Sequence, residues 1–294
     1  MERDDDLRAA CFLALDALRA QFGDDLPYRG VLDRGFVFEN TRVSFLTRMR
    51  GIYRARLQRG PAALSVNTSF NSPYNDEVTP DGFLYAYQAG AIDNADNVWL
   101  RKAHQLQVPI VYFWGGTRPG WYRPIVCFVK EDYPLERSVL LAPTPGEGLS
   151  VEPADTVIEQ RYAVRETRLR MHQGRFRGAV LLAYDDQCTI CRLKEIVLLD
   201  AAHITADSAP DGKPLISNGL SMCSIHHRAY DQNLVGVSPD FEVRVSQRLL
   251  EEEDGPMLEL LKGFDRAKIR LPVRRKNHPD RERLAARFEL FSSG

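Results

Sequence analysis

The stretch that decides how this sequence reads runs from Cys188-Thr189-Ile190-Cys191 through Leu198-Leu199-Asp200-Ala201-Ala202-His203-Ile204 and Ser217-Asn218-Gly219-Leu220-Ser221-Met222 to Cys223-Ser224-Ile225-His226-His227. Its first four residues are a C-x2-C knuckle, and Cys223 to His226 is a C-x2-H knuckle. Two such turns present three thiols and an imidazole at the spacing a tetrahedral Zn²⁺ takes. The plain alternative, three buried cysteines and an incidental histidine, is disfavoured because paired knuckles seldom arise by chance in a reduced chain. Cys188, Cys191, Cys223 and His226 are therefore the expected ligands of a structural zinc ion. Such an ion orders a module too small to have much core of its own. Between the knuckles, residues 198–204 read as a strand ending in His203. A loop from Ala206 to Pro214 and a second strand lead to Cys223.

The order His203, Asn218, His227 resembles the HNH (ββα-metal) endonucleases. "DAAHI", "SNGLSMC" and "HHRAYD" look like the first strand, second strand and helix start of that fold. "HQGRFRGAVLLAY" upstream resembles the lead-in to HNH domains of restriction enzymes, and the resemblance covers roughly residues 165–250. It implies phosphodiester hydrolysis, which needs a base to activate water and a cation to stabilise the charge that develops on the phosphorane and leaving oxygen. By the resemblance His203 polarises the water and His227 holds one divalent ion, Mg²⁺, Mn²⁺ or similar. Asn218 braces the loop or assists at the metal. Many relatives carry Asp directly before the first His, where this chain has Ala202. Asp200, two residues earlier and so on the same strand face, is the tentative replacement metal ligand. Tyr230 and Asp231 read as helix packing and solvent contacts.

The chain upstream is less explicit. With 294 residues, 44% of them hydrophobic and 27% charged, the sequence has the length and apolar content of two folded domains. Residues 7–22 carry apolar side chains at helical spacing, with Gly23 as a stop. Apolar runs at 36–38, 63–66, 83–87, 109–114 and 122–129 read as strands, and 97–107 as a short helix. Pro, Glu and Gly crowd 134–157. The expected organisation is a β-rich, partly closed DNA-reading domain at 1–133, a linker at 134–159, and a nuclease domain at 160–294. The fold class is α+β.

"GIYRARLQRGPAALSVNTSFNSPYNDE", "DGFLYAY" and "QVPIVYFWGG…GWYRPIVCFVKED" resemble the domain found before some HNH restriction endonucleases, which is itself similar to SRA and PUA-like readers of modified bases. That resemblance implies a pocket for a flipped base, with aromatic faces for stacking and polar groups for the base edge. Phe70, Tyr74, Trp114 and Trp121 are the candidate faces, and Asp76 and Asp81 the candidate edge contacts. Aromatics on strands are usually core, which is the reading for Tyr85, Tyr87 and Tyr112.

The formal net charge is -1, so DNA would have to be met by local clusters. Two flank the nuclease: one from Arg161 to Arg177, the other from Arg266 to Lys276. Arg168, Arg175, Arg177 and Arg228 are the DNA-binding candidates. The acidic start has no apolar segment for export, and no run reaches the ~20 apolar residues of a membrane helix. A cytoplasmic protein with reduced cysteines is expected. The resulting expectation is a modification-dependent endonuclease on double-stranded DNA, cutting near 5-methyl- or 5-hydroxymethylcytosine. Since one such module cuts one strand, a homodimer follows. Two alternatives remain open: an HNH nuclease reading unmodified sequence, phosphorothioate or DNA structure, and a non-catalytic zinc-dependent DNA-binding protein.

Overall fold

The computed structural model describes residues 2–70, 78–145, 154, 156–253, 255 and 258–293. The chain divides into two compact units, Met1–Gly174 and Arg175–Gly294.

The first unit opens with helix α1 (Glu2–Phe22). Glu2, Asp4 and Asp5 oppose the positive end of its dipole, and Gly23 ends it at φ +84°. Short strands β1 (Leu26–Pro27), β2 (Phe36–Phe38), β3 (Thr41–Val43) and β4 (Ile52–Tyr53) follow, then β5 (Ser65–Thr68), β6 (Val78–Thr79) and β7 (Gly82–Ala86). Helix α2 (Ala95–Gln105) is capped by the Asn94 side chain, which accepts from the Asn97 N–H. The long strands come last: β8 (Ile110–Trp114), β9 (Trp121–Tyr133) and β10 (Ser138–Pro143).

The main sheet has the order β4-β5-β8-β9-β10-β7-β6, with β1 added along β9, and is antiparallel except for the parallel β5–β8 pair. All five residues of β8 are buried because both faces of the sheet are covered. Ile110, Tyr112 and Trp114 share a core with Leu100 and Ala103 of α2. Val111 and Phe113 share another with Leu7, Cys11, Phe12 and Leu15 of α1. The sheet curls: the Tyr85 hydroxyl of β7 lies 3.0 Å from the Gly51 carbonyl and 3.2 Å from that of Asn67, beside β4 and β5. Among the described residues β4 and β6 do not pair with each other, so the sheet is curved and open-ended.

The stretch expected as linker is partly sheet. β10 lies within 134–159 and pairs with both β9 and β7, and its Val139 and Leu141 are fully buried. The apolar run 139–142 outweighs the Pro and Gly around it, and Pro143 is the last residue of the strand. Residues 146–153 and 155 lie outside the described residues. Helix α3 (Val157–Ala183) begins inside the same stretch, and the division between units falls within it. Met171 belongs to a core of the first unit, and Phe176, Val180 and Leu181 to that of the second.

In the second unit, β11 (Leu199–His203) and β12 (Gly219–Cys223) form an antiparallel hairpin. Helix α4 (Ser224–Asp231) follows directly. A small hairpin of β13 (Val235–Val237) and β14 (Val243–Val245) comes next, then short helices α5 (Gln247–Leu250) and α6 (Glu259–Lys262) and the terminal helix α7 (Arg281–Ser292). Their core gathers Val180, Leu181, Tyr184, Leu220, Met222, Tyr230 and Leu284. All five cysteines are free thiols. Among the described residues no helix is long and apolar enough to cross a membrane.

Candidate active site and metal centre

The β11–β12 hairpin has a functional group at each end. At one end Leu199 faces Cys223; at the other His203 faces Gly219.

At the Cys223 end, one ligand atom from each of Cys188, Cys191, Cys223 and His226 lies within 4.8 Å of all the others. Cys223 Sγ is 3.1 Å and Cys188 Sγ 3.6 Å from His226 Nδ1, and the Cys191 and Cys223 sulfurs are 3.8 Å apart. His226 Nε2 lies 2.9 Å from the Leu260 carbonyl, a bond it can make only as the donor. Once deprotonated, the ring therefore carries its lone pair on Nδ1, facing the sulfurs, the tautomer a metal ligand needs. Burial opposes charge on His226, but the adjacent Cys188 and Cys223 sulfurs outweigh it and raise the imidazole to about 9. The crowded thiols also split: the neighbouring Cys191 and Cys223 groups favour the thiolate at Cys188, while Cys191 is held as a thiol. Several softly basic donors converging in one buried place favour a cation at their centre. Cys11 and Cys127 form a contrast: they are buried singly in the other unit, and desolvation alone drives their thiols up.

At the other end, His203 closes β11. Its ring stacks on Phe176 with centroids 4.0 Å apart and planes at 18°. Phe176 comes this close because residue 219 is glycine: a Cβ there would lie 2.5 Å from Val180 Cγ2 and 2.9 Å from Phe176 Cζ. Burial holds His203 below its ordinary value, only partly countered by Asp207, so the ring is neutral near pH 7. Its Nε2 is itself buried and has no hydrogen-bond partner among the described residues, and the Asp207 carboxylate is 4.0 Å away.

His203 and His227 line one cleft of about 610 Å³ with Asp207, Asp231, Arg283 and Arg287. His227 stands between two carboxylates. Its Nδ1 is 3.5 Å from Asp200 Oδ2, and its Nε2 3.5 Å from Asp231 Oδ2. The Asp200 bond raises its proton affinity against the effect of burial. Asp200 is desolvated, yet His227, the Ala201 N–H and Arg177 hold its carboxyl below the usual range. Asp200 thus meets His227 on the Nδ1 side, and Asp231 is the carboxylate that lines the cleft. Ala202, directly before His203, is fully buried in the apolar core. From sequence alone Asp231 reads as a solvent contact; the structure places it in the cleft. The signal that could have found it is its spacing four residues after His227 on one helix.

Asn218 is fully buried and closes the loop between the strands. Its Nδ2 donates to the Thr205 and Lys213 carbonyls at 3.0 and 3.1 Å, and its Oδ1 accepts from the Thr205 N–H at 2.8 Å. Every polar atom of the side chain is thereby engaged with backbone, so it braces the loop that carries Asp207.

The basic candidates differ. Arg168, Arg175 and Arg228 are exposed. Arg177 is instead committed to its own unit: it donates to the Ile196 and Leu199 carbonyls and approaches Asp200 at 3.7 Å. It braces the start of β11 and is not displayed for phosphate, which corrects the expectation.

Of the base-pocket candidates, Phe70 is half-exposed, and Trp121 carries the Arg118 guanidinium 4.9 Å from its ring centroid. Asp81 is 3.7 Å from Arg161. Trp114 is buried in the core with Tyr85 and Tyr112, so its faces are closed to a base, against expectation. Tyr74 and Asp76 lie outside the described residues.

Comparison with known proteins adds three findings. Residues 188–238 match the family model described as HNH endonuclease. No curated protein matches the chain. Among the solved structures that are similar are "Modification dependent TagI restriction endonuclease", 15% identical over 82% of this chain and 85% of that one, TM-score 0.34; and "Structure of the Type IV phosphorothioation-dependent restriction endonuclease ScoMcrA", 15% identical over 63% of this chain and 51% of that one, TM-score 0.25. At such scores neither bears on what this chain acts on. The family match is of another kind: it starts at the first knuckle cysteine and ends just past β13, taking in both ends of the hairpin and all of α4, so this chain carries an HNH endonuclease domain.

Proposed function

We propose that the protein is a modification-dependent DNA endonuclease. The observation that carries the hydrolytic part is the pairing, across one cleft, of a neutral His203 with the His227–Asp231 pair. His203 Nε2 accepts a proton from water as the water oxygen attacks phosphorus. The bond from phosphorus to the leaving oxygen breaks, and that oxygen takes a proton from solvent, giving a phosphomonoester and a free hydroxyl. His227 Nε2 and Asp231 are the donors that would hold a divalent ion such as Mg²⁺ or Mn²⁺, which supplies stabilisation of the developing negative charge. Asp200 then holds Nδ1–H, the usual arrangement for a metal-binding histidine with a carboxylate behind it. Asp200 is in this reading an orienting group and not itself a ligand. Asn218 serves by fixing the loop of Asp207.

The ion at the four-donor cluster is zinc in this reading. Tetrahedral bonds of ~2.3 Å to sulfur put two sulfurs about 3.8 Å apart, the separation of Cys191 and Cys223. The N-terminal domain expected at residues 1–133, part of the first unit, is the reader of a modified base, most simply 5-methyl- or 5-hydroxymethylcytosine. Its support is the resemblance of its strand segments to SRA and PUA-like readers. A homodimer brings two cleavage sites to one duplex, and the setting is the cytoplasm.

Digestion of plasmid DNA with and without 5-methylcytosine, in Mg²⁺ or Mn²⁺, tests this with His203→Ala alongside. Cleavage of the methylated plasmid only, lost in the variant, is the expected result. Equal cleavage of both would keep the nuclease and shift the reader to ordinary sequence, phosphorothioate or DNA structure. DNA binding with no cleavage under any metal, unchanged by His203→Ala, would favour a non-catalytic DNA-binding protein.

A further inference from the structure

From Asn40 to Asn75 the sequence holds no acidic residue and six arginines, in a chain whose net charge is -1. The projecting part of this stretch is the turn Arg48-Met49-Arg50. All three side chains are exposed, and Met49 is 91% exposed. The turn is nevertheless tied down at both ends. Asn67, itself buried, donates through Nδ2 to the Thr47 carbonyl at 2.7 Å and lies 3.3 Å from that of Gly51, which also accepts the Asn67 backbone N–H at 2.7 Å. The Tyr85 hydroxyl adds a third bond to the same Gly51 carbonyl. Gly51 sits at φ +72°, and a Cβ there would lie 2.5 Å from Gln88 Nε2. The Arg48 guanidinium rests 5.0 Å from the centre of the Tyr28 ring.

Single exposed apolar residues are common on protein surfaces. Leu135 is as exposed, at 94%, but stands next to Glu136 and close in sequence to Glu131 and Asp132, charges that repel a polyanion. Met49 differs in standing between two exposed guanidiniums on a preorganised turn; Arg50 lies 3.6 Å from the half-buried Asp96 carboxylate, which leaves Arg48 as the arginine with no carboxylate beside it among the described residues. Arginines take phosphate oxygens in bidentate fashion, and an unbranched apolar side chain between them can enter a base step.

We propose that the Arg48-Met49-Arg50 turn is a contact for duplex DNA, in which the arginines take backbone phosphates and Met49 is pressed into the base stack and opens one step. This rests on the reading that the chain acts on DNA. It supplies what extrusion of a base requires, since unstacking is the cost that must be met before a base leaves the duplex.

The test uses the full-length His203→Ala protein, which binds without cutting, and three derivatives: Met49→Ala, Met49→Leu and Arg48→Ala. Each is titrated onto unmodified and 5-methylcytosine duplexes across a salt series, with permanganate reactivity of thymines as the measure of unstacking. Expected are reactive thymines at a bound site with the parent and with Met49→Leu, and loss of that reactivity with Met49→Ala, whose affinity falls about 5–150-fold, the ~1–3 kcal/mol per stacked or wedged group converted. Arg48→Ala lowers the slope of log K against log salt by about one. Unchanged reactivity and affinity in Met49→Ala overturn the proposal, as does DNA that is bound without any reactive thymine. Failure of the parent to discriminate methylated DNA would sink the modification reading alone, because phosphate and stacking contacts are blind to the 5-substituent.

Discussion

The two ends of the β11–β12 hairpin are built from similar residues and behave in opposite ways. At the Cys223 end, Cys188, Cys223 and His226 are buried, and all four donors of the cluster converge on one point. At the His203 end the rings keep partial exposure and line an open cleft, and Nε2 of His203, itself buried, has no hydrogen-bond partner among the described residues. A closed donor set holds structure; an open one leaves room for a reacting group. Helix α4 serves both, because consecutive residues on a helix point about 100° apart. His226 turns to the cysteines and His227 to the cleft.

If that division is right, changes at the closed end should be the most damaging. Cys188→Ser or exhaustive chelation should abolish the cooperative unfolding transition of residues 175–294, a loss on the order of 10 kcal/mol of metal-coupled folding free energy, seen by calorimetry. All cleavage should go with it. His203→Ala should separate the ends: cleavage falls by about 10²–10⁴-fold while the melting temperature stays within a few degrees. A variant that instead unfolds the unit would show that the open end is structural too.

The two carboxylates around His227 sharpen the comparison. Asp231→Asn should weaken metal activation more than Asp200→Asn does, the latter by about 10–100-fold as for other groups behind a ligand. Metal titrations of the cleavage rate decide this, and the reverse order would return the ligand role to Asp200. The smallest effect is expected at Gly219→Ala. The added methyl must displace Val180 or Phe176, at about 1–3 kcal/mol of stability, measured by chemical denaturation.

Legibility in the sequence followed the range of the interaction. The knuckle ligands were legible as two short-spaced pairs and the two cleft histidines by their order along the chain, and the structure places each in one of two groups. Arg177 read as phosphate-binding because a helical arginine looks the same in sequence whether it meets solvent or the carbonyls of Ile196 and Leu199. The linker was overextended because Pro143 and its neighbours mask a strand whose partners, β7 and β9, lie elsewhere in the chain. Trp114 could not be told from an accessible aromatic, since covering its faces takes residues far away in sequence. Asn218 was legible as a brace or a metal helper, and its three backbone bonds favour the brace.

The adjacency of His226 and His227 has a consequence in time. The donors at the start of α4 come from segments far apart in the chain, so on the proposed reading a freshly made polypeptide would not aim His227 until it had captured its ion. With the ion proposed here, hydrolytic capacity would begin at loading and not at translation. A host short of that ion would accumulate a dormant stock, which a later supply could arm without any new synthesis.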